Sequence, residues 1–258
     1  MANTFLETEQ KALEINLDNS IYGTFAEIGA GQEVARYFFQ AGGSSGTIAK
    51  TMSAYDKTYS DAIYGVEESG RYVCEARIYK MLDHEYTLME DRLREERPHT
   101  SFFAFANTVA ALNYTRTIKG NGWMGLRFQL NYDTAPNDLV LHVRMLDNDN
   151  HLQQDAIGIL GVNMVYAAFY HRDDLDKFLS SLMDDLKGRI FIDMVRLEGQ
   201  DFQHIDHRIL CMRMVKLGLT DVAMFGPDGR SLQAAEFLYK KSVLIVRSRF
   251  RPVTIINW

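Results

Sequence analysis

The chain has two cysteines and four prolines in 258 residues, no excess of positive charge, and no long apolar run. Each shortage excludes something. Cys74 and Cys211 are isolated and lack C-x-x-C spacing, which argues against a disulfide framework or a zinc site and fits a reducing cytoplasm. The 28 basic residues stand against 34 acidic ones, a net charge of −6, so a dedicated nucleic-acid binder, which needs a basic face, is disfavoured. The opening MANTFLETEQKALEINL carries acids where a signal peptide has its apolar core. Nowhere do about 18 apolar residues run together, so no membrane span is expected. There is no G-x-S-x-G elbow, and neither cysteine has a local His or Asn signature, which leaves nucleophilic hydrolysis unsupported.

What is present is an ordinary globular composition, 47% apolar and 24% charged, whose length suits one large α/β domain over 1–258. LEINL (13–17) alternates like an opening strand. GQEVARYFFQAGG reads as a helix with Val34, Ala35, Phe38 and Phe39 on one face and Gly42-Gly43 as its stop, and SSGTIAKTMSAYDKTYSDAIYG should begin another. The spacing of Val73, Ile78, Leu82, Tyr86, Met89 and Leu93 predicts a long helix that Pro98 ends. SFFAFANTVAAL, GWMGLRFQL and DLVLHVRML then form three strands with short connectors, an antiparallel meander.

From residue 152 helical and strand-like segments alternate: LQQDAIGILGVNMVYAAFYH and DLDKFLSSLMDDL before RIFIDMVRL, IDHRILCMRMVKLG before DVAMFG, and LQAAEFLYKK before VLIVRS. This implies βαβ crossovers. The expectation is an α/β fold whose mixed sheet has an antiparallel meander and a parallel βαβ-type C-terminal half, with helices on both faces. RPVTIINW is strand-like to the last residue, which suggests a longer natural chain or a partner edge.

Five stretches carry candidate chemistry, each with a plainer structural reading beside it. YGTFAEIGAGQ (22–32) resembles the nucleotide-cradling turn of adenylyltransferases, roughly G-T-F-D-P-I-H-x-G-H, with Gly29 and Gln32 in place of its histidines. Gly23, Thr24, Gly29 and Gly31 could offer backbone amides to phosphate, or serve tight backbone geometry alone. The family's I-S-S-T-x-x-R segment has no match, FLSSLMDDLKGR being the nearest string.

QAGGSSGTIAK (40–50) could form an anion nest from Gly43, Ser44, Ser45, Gly46 and Thr47 with Lys50 supplying charge, or join two helices through a Gly stop and a Ser cap. It is not a Walker A loop, because Thr47 follows Gly46 where that motif demands lysine.

In MLDNDN, Asp147 and Asp149 form a D-x-D pair suited to Mg2+ with a nucleotide diphosphate, or to a turn and helix cap. His204 and His207, with Asp201 and Asp206 nearby, could share a metal or simply open a helix. Arg247, Arg249 and Arg251 would share one face of a strand and meet either phosphate or the chain's own carboxylates.

The segments ALEINLDNSIYGTFAEIGAGQEVARYFFQAG, GTIAKTMSAYD, LGVNMVYAAFY and LYKKSVLIVRSRFRPVT together resemble a largely uncharacterised bacterial family. Its members, longer than this chain, are sometimes labelled nicotinate- or nicotinamide-nucleotide adenylyltransferases. The resemblance implies a nucleotide- or phosphometabolite-binding protein related to nucleotidyltransferases, with a small phosphorylated ligand. The alternative is a non-catalytic assembly module that forms a homo-oligomer or pairs with a partner through its C-terminal strand, as the abrupt strand-like end and 12% aromatic content suggest.

Overall fold

The strand that carries the first glycine motif, β1 (Ile21–Gly29), lies between two parallel neighbours, β2 (Ile48–Ala54) and β3 (Ser101–Ala110). It is seen in a computed structural model that describes residues 6–117, 119–245 and 247. Past β3 the sheet continues antiparallel through β4 (Asn121–Phe128), β5 (Asn137–Met145) and β6 (Ile190–Glu198). The six strands stand in the order β2-β1-β3-β4-β5-β6.

Strand periodicity sorts the apolar side chains onto two faces. Phe25, Phe103, Phe105, Leu126 and Leu141 point to one, where α1 (Thr8–Leu17), α2 (Val34–Ala41), α5 (Asn150–Tyr170), α6 (Leu175–Ser181) and α7 (His207–Leu217) cover them. Aromatic rings carry much of this core: Phe25 meets Phe38 at 5.0 Å and Phe103 meets Phe169 at 5.9 Å between centroids. On the other face Ala26, Ile28, Ala106, Trp123 and Val140 pack against α3 (Lys57–Tyr64) and α4 (Glu75–Leu93), chiefly through Tyr64, Ile78, Met81 and Leu82. A mixed α/β sheet with a meander and helices on both faces is thus what the sequence builds.

The details differ from the sequence expectation in four places. LEINL is the end of α1, because Thr8, Lys11, Ala12, Ile15 and Asn16 are buried at helical spacing and a capping box of Glu7 with Gln10 starts the turn. The second expected helix is instead a 3-10 turn (Ser44–Gly46), the strand β2, and then α3, which Asp56 caps by accepting from the Tyr59 amide at 2.7 Å. As an edge strand β2 is only partly buried, so its alternation is faint.

The parallel pairs lie in the N-terminal half and not in the C-terminal one. α5 carries the chain along the sheet and α6 with the following turns brings it back, so Ile190 starts beside Met145 and β6 runs antiparallel. DVAMFG supplies only β7 (Met224–Phe225), in a two-stranded antiparallel hairpin with β8 (Ser231–Leu232), followed by the short α8 (Ala234–Phe237). Residues 243–245 and 247 of the strand expected at VLIVRS have no regular structure, while Val246, Ser248 and the strand-like RPVTIINW lie outside the described residues.

Candidate functional site

The outgoing connections of adjacent strands β1 and β2 leave toward opposite faces, β1 into α2 and β2 into α3 and α4. Such a reversal opens a crevice outside the carboxyl ends of parallel strands. A cleft of about 660 Å³ lies there, a size suited to a small molecule. The turn after β1 contributes Gly29, Gln32 and Glu33, the exits of β2 and β3 contribute Tyr55 and Asn113, and α5 contributes Asn150 and Gln154. Tyr72 lines the wall, held through its carbonyl by the Thr108 hydroxyl at 2.9 Å. Tyr55 and Tyr114 stand at the cleft with their rings exposed. Among the described residues no lysine or arginine lines it, and Glu33 is the one formal charge in the lining.

The turn beneath the cleft is fixed by close approach to β3. Gly29 has a φ of 76°, and a Cβ there would sit 2.3 Å from the Val109 carbonyl oxygen. Gly31 has no room for a side chain either, since its Cβ would fall 2.4 Å from Asn107 Oδ1, and the Asn107 amide donates to the Gly31 carbonyl at 2.8 Å.

Glu27, 4% exposed, points from β1 to the start of α2 and accepts from the Val34 amide at 2.9 Å. Burial pushes its carboxyl up to about 7, and the Val34 and Ala35 amides offset part of that rise. The Val34 amide at the start of α2 is therefore bonded to the protein's own acid.

The other expected site residues are dispersed. Gly23 and Thr24 lie inside β1, Thr24 being buried with its hydroxyl on the Lys50 carbonyl at 3.1 Å. The loop through Gly43, Ser44, Ser45, Gly46 and Thr47 enters β2 at the other end of the sheet, where Gly23 pairs with Ile48. It stands about 20 Å along β1 from Gly29 at ordinary strand rise, so the two glycine bends do not share a pocket. Thr47 is buried, its hydroxyl donating to the Asn16 carbonyl at 2.8 Å. Lys50 lies on β2, not on a helix, and its ammonium donates to Glu85 at 2.5 Å.

Asp149 caps α5, accepting from the His151 and Leu152 amides at 2.9 and 3.1 Å, and Asp147 accepts from Arg189 at 3.0 Å. His207 Nε2 meets the Leu197 carbonyl at 3.2 Å, Asp206 caps α7, and Asp201 accepts from Asn137 at 2.7 Å. Among the described residues no group of three or more His, Cys, Asp or Glu is placed to hold a metal. Arg247 is exposed outside any element, and Arg249 and Arg251 lie outside the described residues. Of the residues singled out for ligand binding, Gly29 lines the cleft.

The sequence reading missed the tyrosines and amides, which come from separate segments that only the fold joins. Glu27 had a signal, an acid inside the otherwise apolar or small run TFAEIG.

No family model and no curated protein matches the sequence. Among solved structures the chain is similar to the competence/damage inducible protein CihA of Agrobacterium tumefaciens, at 17% identity and a TM-score of 0.44 over 64% of this chain and 98% of that one. It is also similar to a competence-damaged protein (CinA) superfamily protein of Klebsiella pneumoniae, at 14% identity and a TM-score of 0.46 over 64% and 99%. A CinA superfamily protein of Escherichia coli matches at 14% identity and a TM-score of 0.38 over 63% and 87%. The solved structures the chain matches are of the competence-damage (CinA) kind, which corrects the resemblance to proteins labelled nicotinate- or nicotinamide-nucleotide adenylyltransferases drawn from the four quoted segments; residues 22–29, compared with a nucleotide-cradling turn, are strand β1. Among the described residues no helix is long and apolar enough to cross a membrane.

Proposed function

We propose that the protein binds a nucleotide-class metabolite in the cleft at the carboxyl ends of β1 and β3, gripping base and sugar and leaving phosphate at the rim. The observation that carries this reading is the lining: three tyrosines with Gln32, Asn113, Asn150 and Gln154, and among the described residues no basic side chain. Aromatic rings give a flat base a stacking surface, and side-chain amides both donate and accept, as heterocycle edges and ribose hydroxyls require. A phosphate group inside would meet Glu33, with no lysine or arginine among the described lining residues to offset it. The proposal concerns binding and assigns no reaction.

Thermal unfolding with adenosine, ATP, NAD and inorganic phosphate tests it. Ligand at a hundredfold its Kd adds about 2.7 kcal/mol to stability, so the nucleoside-containing compounds should raise Tm by several degrees and phosphate alone should not. Gln154→Leu and Tyr72→Ala should each reduce the shift. A flat response to all four compounds, or a full response to phosphate alone, would overturn the reading.

A further inference from the structure

The strand β2 ends the sheet, and among the described residues nothing pairs with its outer side. Seven residues of edge backbone therefore stand open, without proline and with Lys50 turned to Glu85. Unpaired edges of this kind are templates for another strand. Elsewhere the chain presents a segment that lacks a sheet. Val243, Leu244 and Ile245 are consecutive aliphatic residues outside any element, and Leu244 and Ile245 are 90% and 81% exposed. β-branched and aliphatic side chains in sequence suit a strand and gain nothing in water.

Charge completes the match. Every acidic residue precedes position 240, so residues 1–239 hold all 34 acids against 23 basic residues. Residues 240–258 hold five basic residues, Lys240, Lys241, Arg247, Arg249 and Arg251, and no acid. A basic apolar segment of one copy and the acidic body of another attract before they pair.

We propose that the segment around Val243–Ile245 of one copy adds to the β2 edge of a second copy, reciprocally, giving a closed two-fold dimer held by strand addition. Main-chain hydrogen bonds supply the pairing and the aliphatic side chains supply burial. Reciprocal exchange uses both edges and both segments, so the assembly stops at two. This rests on the edge and the segment and is independent of the cleft.

The test is light scattering on the full chain across a concentration series, with two paired variants. The wild type should give twice the 29.6 kDa chain mass. Leu244→Asp with Ile245→Asp removes the apolar donor, and Thr51→Lys with Ser53→Lys sets like charge against the basic segment along the edge. Each should raise the dimer dissociation constant by about tenfold or more, with far-UV circular dichroism and Tm close to wild type. A Thr51→Cys, Leu244→Cys chain should cross-link between copies on oxidation, the two native cysteines being buried. A wild-type monomer throughout the series, a dimer that survives both paired variants, or a monomer whose basic segment instead captures a single-stranded oligonucleotide would each overturn the proposal.

Discussion

Glu27 sets its carboxylate 2.9 Å from the Val34 amide, at the helix start where an outside anion would otherwise dock. The helix dipole is thus answered from within. The arrangement has a cost, because the carboxyl is buried with Glu33 nearby and titrates at about 7 instead of 4.5.

That shift predicts a stability profile. Between pH 4.5 and about 7 the unfolded chain loses this proton first while the native protein keeps it, so the Glu27 contribution is fully present below 4.5 and lost as pH rises through 7. Its size is on the order of 3 kcal/mol, from the shift at about 1.4 kcal/mol per unit. Urea unfolding at pH 5 and pH 8 should show Glu27→Gln near wild type at the lower pH and more stable than wild type at the higher. Equal differences at both pH values would refute the assignment.

The two thiols should be inert in the folded state. Burial raises both, Cys211 to about 11, so neither presents thiolate at neutral pH. Ellman's reagent should react slowly with the native protein and stoichiometrically, at both residues, in denaturant. Fast native labelling at either position would contradict this packing.

Gly161 is where α5 touches α2: a Cβ on it would lie 2.4 Å from Val34 Cγ2. Gly161→Ala should cost about 1–3 kcal/mol through overpacking, despite alanine's better helix propensity. Chemical denaturation measures it, and a stabilised variant would mean that α2 moves aside freely.

Asp149 acts as a cap, so Asp149→Ala should cost about 1 kcal/mol. With Asp147 bound to Arg189, Mg2+ should leave Tm unchanged in the wild type. A Mg2+-dependent rise that Asp147→Ala abolishes would restore a metal role to the pair.

Much of the frame was legible in the residues. The apolar runs at 101–112, 122–130 and 138–146 and the helical spacing from Val73 to Leu93 gave strands and a helix close to their observed bounds, because burial imposes its period directly on such segments. α1 and β2 were misread because each is only partly covered, and a short half-buried window fits either period.

What the sequence determined by itself was therefore the set of buried faces, and with it an α/β protein with a mixed sheet. What tertiary structure alone decided was which loops meet. Strand direction sends Gly29 and Gly43 to opposite ends of the sheet, while Tyr55, Tyr72, Asn113 and Gln154, distant along the chain, come to one crevice. Register and crossover are collective properties of the packed chain, so no local stretch records them.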